Sequence, residues 1–136
     1  MAGFMCDIVT PRARLVSEEA TLVVVPGVEG EMGFLRGHAP LVSVLADGVA
    51  RLTLADTKEV ARYVLQGGYV EVGGDKVIVL ADRALPVSDV DAAAVRDELA
   101  GIEADLASMA EEEIARTTLH ADKAWCEVRL KAVQAA

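Results

Sequence analysis

A chain of 136 residues, 53% of them hydrophobic, can bury a real core as one domain or as two small ones. A net charge of −9, with only 13 scattered Lys and Arg, argues against a nucleic-acid partner, whose phosphates need clustered cations. No apolar run approaches the roughly 20 residues of a membrane span, and Met1 to Cys6 lacks the blocks of a signal peptide, so the expectation is a soluble, cytosol-facing chain without membrane insertion.

In chain order, β-branched and alternating runs predict strands at Met5–Thr10, Ala13–Ser17, Ala20–Val25, Glu31–Leu35, Leu41–Ala46, Gly48–Leu54, Glu59–Gln66, Tyr69–Val72 and Lys76–Ala81. Nothing of helical length separates them, so no parallel crossover is expected and the pairing should be mainly antiparallel. Asp47-Gly48 and the Gly73-Gly74-Asp75 run supply residues that tolerate the positive φ of hairpin turns. Cys6 and Cys126 lie at opposite ends without metal-type spacing and are read as two reduced thiols, with no metal site and no cofactor expected.

Composition changes near Pro86. From about Asp89 the chain is rich in Ala, Glu, Leu and Arg, with Gly101 its only glycine. Ser88 and Asp89 are candidate N-caps for a first helix whose apolar stripe runs Val95, Leu99, Ile102, Leu106. Glu111, Glu112 and Glu113 suit the positive end of a second helix, striped by Ile114, Ala121, Trp125, Val128 and Ala132, with Trp125 read as packing. Alanines in the stripes leave each helix little to bury, so the pair is marginal by itself and mobility is expected. Gly101 in mid-helix costs a further ~1 kcal/mol relative to Ala. The predicted fold is a β-sandwich of about nine to ten mainly antiparallel strands over residues 1–86, followed by a C-terminal α-helical hairpin over 87–136.

The densest punctuation is Gly27 to Leu41, where G-V-E-G-E-M-G-F-L-R-G-H-A-P-L holds four of the eleven glycines and one of the two histidines. Such a stretch reads as loop surface on which something docks. His38 has no titratable neighbour in sequence and suits structure or an interface better than general base catalysis. Glu29 and Glu31 could point one way, but no third ligand accompanies them. The glycines lack the G-K-[ST] ending of a phosphate loop, and no G-x-S-x-G turn presents Ser17 or any other serine to His120 as a nucleophile.

The run E-G-E-M-G-F-L-R-G-H-A-P-L resembles the E-G-E-x-G-x-x-P-G-H-A-P-L signature of the ATP synthase epsilon subunit family. Asp7–Ser17, Leu65–Val72 (L-Q-G-G-Y-V-E-V) and Val77–Ala84 (V-I-V-L-A-D-R-A) resemble further segments of it. Arg36 stands where the family usually has proline, which makes the turn less rigid and adds a charge. The resemblance implies a non-catalytic central-stalk subunit, peripheral on the cytoplasmic face of a bacterial inner membrane, an organelle being the alternative. It implies a c-ring contact through Glu29, Gly30, Glu31, Met32 and Gly33, and a contact near the gamma subunit and the ring through His38, Ala39, Pro40, Leu41 and Ser43.

In some family members the hairpin reaches the alpha and beta subunits and blocks ATP hydrolysis, and in some it binds ATP through an I/L-D-x-x-R-A motif. Here that motif is degenerate: Asp91 is kept, but Ala94 replaces the arginine, so no nucleotide site is expected. Cations for an inhibitory contact would be Arg116, Lys123, Arg129 and Lys131, whereas residues 89–113 carry nine acidic groups against Arg96, so weak or absent inhibition is expected. The competing readings are a free-standing nucleotide-sensing protein and, last, a hydrolase built around His38, Glu29 and Glu31.

Overall fold

The computed structural model describes residues 3–134; Met1–Ala2 and Ala135–Ala136, the outer ends of the two predicted domains, lie outside them. The chain divides into two units, with the division between Pro86 and Val87.

The first unit is built from nine strands: β1 Phe4–Val9, β2 Arg14–Gly27, β3 Gly30–Phe34, β4 Leu41–Val44, β5 Gly48–Leu54, β6 Val60–Gln66, β7 Tyr69–Val72, β8 Lys76–Leu80 and β9 Arg83–Pro86. Their hydrogen-bonded order is β4-β7-β8-β1-β2-β5-β6-β9, with β3 paired to β2 beside this path. Leu41 of β4 and Ala84 of β9 stand at opposite ends of the path, yet both pack on one core with Ile8, Val23, Phe34, Leu52, Val70 and Val79. The sheet is therefore folded over on itself into two layers, the expected sandwich. β2 belongs to both layers: residues 14–20 pair with β1, and its later residues pair with β3 and β5 across a register shift between Ala20 and Leu22.

Four expectations are corrected. The two strands predicted at Ala13–Ser17 and Ala20–Val25 are one, because Ser17, Glu18 and Glu19 are the exposed part of a ladder that continues against Asp7, Cys6 and Met5. One pair, β1 with β8, is parallel; the rest of the sandwich, not a helix, is the crossover between them. Asp47-Gly48 is not a hairpin turn, since β4 pairs with β7 while β5 pairs with β2 and β6. Neither Gly48 nor Gly73-Gly74 takes positive φ; that conformation falls on Gly30, Gly37, Gly67, Gly68 and Lys58. β9 is a separate edge strand on β6, where Pro86 can end a ladder without donating to it.

Gly68 is fixed by contact as well as by conformation. At φ +100°, a Cβ there would lie 1.8 Å from the Leu80 carbonyl oxygen.

Asp7 is buried on the face of β1 opposite Cys6 and Ile8. Its carboxylate accepts from Ser17 Oγ at 2.9 Å and pairs with Lys76 Nζ at 3.3 Å and Arg14 Nε at 3.8 Å. Burial would raise its pKa, but the Ser17 and Lys76 hydrogen bonds and the two cations together hold it below the usual carboxylate value. On the core side, burial and then the Asp7 charge push the Cys6 thiol up to about 12.

The second unit contains a 3-10 turn at Val87–Asp89, then α1 Ala92–Ser108, α2 Glu111–Ile114 and α3 Leu119–Gln134. Ser88 and Asp89 do not cap α1. Its N-cap is Asp91, whose side chain accepts from the Ala94 N–H at 3.2 Å. The predicted second helix is interrupted because two threonines take local hydrogen bonds. Thr117 Oγ1 donates to the Ile114 carbonyl at 2.7 Å and accepts from the Leu119 N–H at 3.2 Å, and Thr118 Oγ1 donates to Asp122 at 2.9 Å. Val95, Ile102 and Cys126 form the buried centre of the pair, with Leu99, Leu106, Leu119 and Leu130 around them. The first stripe is as expected. On α3, Ala121 is exposed and Trp125 only partly covered, while Cys126 takes the buried place.

Gly68→Ala is expected to lower unfolding free energy by about 2–4 kcal/mol, from positive φ plus overpacking. Gly74→Ala, with nothing within 4 Å of its added Cβ, should change it by less than ~0.5 kcal/mol; urea titrations of both variants check this. Asp7 has its folded pKa below its unfolded value of about 4, so it stabilises at neutral pH and loses that contribution as pH falls from about 4 through the folded value. Asp7→Asn should therefore be less stable by about 1–2 kcal/mol at pH 7, and the gap should close toward acid pH.

Candidate docking surface

The signature stretch begins as a tight hairpin. Gly27 pairs with Gly30, leaving Val28 and Glu29 exposed at the tip, and Gly30 takes φ +127°. On β3, Met32 turns inward against the core. Glu31 and Gly33 share the outer face with their partners Pro26 and Val24. Arg51 of β5 reaches over β2 to the same face and grips Glu31 with two hydrogen bonds, at 2.7 and 3.2 Å. The Arg51 hydrogen bond is what chiefly lowers the Glu31 pKa.

After β3 the chain turns at Leu35–His38, closed by the His38 N–H donating to the Leu35 carbonyl at 3.2 Å. Gly37, at φ +83°, supplies the left-handed residue this turn needs, and its N–H donates to the Gly74 carbonyl at 2.7 Å. Arg36 fills the position before it, where proline suits the turn equally. The His38 ring stands edge-on to Phe34, with centroids 5.0 Å apart, and its Nδ1 lies 2.7 Å from the Ala39 carbonyl. Among the described residues no hydrogen bond joins His38 to Glu29 or Glu31, and no three His, Cys, Asp or Glu side chains converge to hold a metal.

Ala39 and Pro40 are exposed and lead into β4. Leu41 and Ser43 pair with the buried Val72 and Val70 and so face inward, Leu41 packing on the core. The outward residues of this strand are Val42 and Val44, 67% and 47% exposed. Val44 lies opposite Tyr69 and Tyr69 opposite Leu80, so an apolar row crosses β4, β7 and β8 with Tyr69 53% exposed. Beyond Tyr69 and Leu80 the surface dips into a cleft of about 360 Å³ bordered by Pro11 and Asp82. At the other end, the Val28 N–H donates to the Val44 carbonyl at 3.3 Å, which brings the exposed hairpin tip to the same row.

The two halves of the signature are thus one continuous surface, acidic and glycine-rich at one end and aliphatic at the other. Sequence reading missed Val28, Val42, Val44, Tyr69, Leu80 and Arg51. Period-two alternation in L-V-S-V could have found the valines; the Arg51 pairing depends on a strand order that spacing does not encode.

The remaining candidates lie in the helical unit. Arg116 sits in the turn before α3, and Lys123, Arg129 and Lys131 lie on α3. Arg129 is already engaged, paired to Glu98 of α1. Asp91 and Ala94, the degenerate nucleotide positions, meet each other as cap and donor.

Residues 3–87 match the family described as "ATP synthase, Delta/Epsilon chain, beta-sandwich domain". The ATP synthase epsilon chain of Myxococcus xanthus is 39% identical over 113 residues, 83% of this chain and 82% of that one. The sodium ion specific ATP synthase epsilon chain of Propionigenium modestum is 31% identical over 131 residues, 96% of this chain and 94% of that one, and so spans both units. A chain of the Euglena gracilis mitochondrial ATP synthase, seen by cryo-electron microscopy with OSCP, F1 and c-ring, superposes with a TM-score of 0.68. That superposition covers 98% of this chain and 79% of the other at 22% identity, a likeness of fold. A signature hairpin, a β-unit matched across its length and close relatives of one kind together show that the chain belongs to the ATP synthase epsilon chain family.

Proposed function

We propose that this chain is a non-catalytic central-stalk subunit of an ATP synthase, held between the gamma subunit and the c ring and turning with them to couple proton-driven rotation to ATP synthesis. The observation that carries the reading is the exposed apolar row Val42, Val44, Tyr69 and Leu80, continuous with the signature hairpin through Val28. Contiguous apolar surface of this kind is what a lasting partner covers. The sandwich beneath it is stiff, with a buried apolar core and all strands but the edge strands β3, β4 and β9 bonded on both sides, as a part under rotational load requires. We assign the hairpin tip, Glu29 to Gly33, to the c ring and the β4 face with its preceding His38–Pro40 turn to the gamma side. Bond-breaking chemistry is left to other subunits, since Glu31 and His38 are each committed to structural partners. No helix among the described residues is long and apolar enough to cross a membrane, and we assign a peripheral place on the cytoplasmic face of a bacterial inner membrane.

We infer further that inhibition of ATP hydrolysis by the helical unit is weak. Of its four candidate cations, Arg129 is spent on Glu98, and the preceding helices are strongly acidic.

Co-purification of the full chain with gamma and the c ring tests the assignment. Val42→Asp is expected to weaken capture by gamma at least about tenfold, since an unpaired charge would be buried, while leaving the fold intact at an exposed position. Glu31→Lys should weaken the ring contact. Capture by both partners unchanged in both variants would reject the surface. Leu41→Asp is unsuited to this test because Leu41 packs on the core. Removal of residues 87–136 is expected to change ATP hydrolysis by the reassembled complex less than about twofold, and a large gain would refute weak inhibition.

A further inference from the structure

Four side chains of α1 and α3 form a cluster that the proposed docking surface does not use. Glu98 Oε2 accepts from Cys126 Sγ at 2.9 Å and from an Arg129 guanidinium nitrogen. The same guanidinium nitrogen lies 3.4 Å from Cys126 Sγ, and the guanidinium sits 5.0 Å over the Trp125 ring. The Arg129 side chain is only 13% exposed although it is a cation, and Cys126 is fully buried.

The pair matters because the apolar cluster it adjoins between the two helices is small. Their buried centre is Val95, Ile102 and Cys126, and one of those three is a thiol whose hydrogen goes to Glu98. Removing Glu98 would leave a largely covered cation without its counter-charge, which is far more costly than losing an exposed pair. Arg129 Nη2 is taken up by Glu98 and Cys126 and its Nε donates to the Trp125 carbonyl at 3.1 Å, so an outside carboxylate is left at most Nη1 of a largely covered side chain and gains the full fork only by displacing Glu98.

We propose that Glu98, Arg129 and Cys126 form a latch: it holds α1 against α3, and while it is closed Arg129 is withheld from any acidic partner surface. Opening the latch therefore frees a cation and uncovers a thiol in one event. Burial and the Glu98 hydrogen bond push the Cys126 thiol up to about 11, so it is unreactive while the latch is closed. The statement about a partner rests on reading Arg129 as a docking cation; the latch itself does not.

The test uses the full chain and iodoacetamide, with alkylation of the Cys126 and Cys6 peptides followed by mass spectrometry. Cys6, buried in the other unit, reports any general unfolding. Glu98→Ala is expected to raise the Cys126 alkylation rate at least about tenfold, with the Cys6 rate unchanged. A Cys126 rate within about twofold of wild type would overturn the latch. If Glu98→Ala loses helicity altogether, the Glu98→Arg, Arg129→Glu double variant decides: recovered protection of Cys126 supports the pairing, and continued exposure overturns it. Faster alkylation with unaltered ATP hydrolysis by the reassembled complex would keep the latch and overturn Arg129 as a docking cation.

Discussion

Side-chain alternation along a paired strand decides what this chain can offer a neighbour. On β4 the pairing with β7 sends Leu41 and Ser43 toward Val72 and Val70, and so sends Val42 and Val44 out. A one-residue slip would reverse every one of these assignments, and the inward demand of the core prevents it, because Val70 and Val72 have no other place to go. The aliphatic row on the outside is thus fixed by the packing inside. The core sets the register, and the register sets the surface a partner meets.

Legibility followed the range of the interactions involved. The strand-rich and helix-rich halves, the β7–β8 hairpin and the Val95-Leu99-Ile102-Leu106 stripe were readable because each depends on residues close in sequence. The signature stretch was legible as a surface, but not which of its residues face outward. What spacing could not carry was pairing between distant segments: the parallel β1–β8 contact, the reach of Arg51 to Glu31, and β2 as a single strand across both layers. The Glu18-Glu19 pair looked like a break because two consecutive polar, exposed residues, one on each face of a long strand, imitate a loop. Thr117-Thr118 carried a readable signal, since hydroxyls compete with helix hydrogen bonds, but the three glutamates ahead of them drew the helix start instead.

Charge is used in two different ways in the β unit. Asp7 is covered, and its hydrogen bonds and cations hold it ionised, so it ties β1, β2 and β8 together on the face away from the core. Glu31 and Arg51 are exposed, and a pair of that kind contributes only about 0–1 kcal/mol. Its value lies in orientation. The fork geometry holds the Glu31 carboxylate against the sheet, so an approaching partner meets a neutralised pair with fixed direction instead of a free anion. Such a contact sets register and orientation more than affinity, and the aliphatic row beside it supplies the area.

The helical unit reverses the balance seen in the sandwich. There, charge decorates a core that is already sufficient; here, the apolar cluster between α1 and α3 is small, Val95, Ile102 and Cys126 with a leucine rim, and an ion pair borders it. A mid-helix glycine and two threonines that interrupt the second helix weaken it further. The carboxylate of this pair is half exposed but the cation is largely covered, so the pair adds little net stability compared with apolar packing, yet taking away Glu98 strands a covered charge. That asymmetry suits an element with a single well-defined closed arrangement and a modest total stability. The closed form is chosen sharply over misregistered ones, while the whole interface stays weak enough for a partner carboxylate to compete for the same guanidinium.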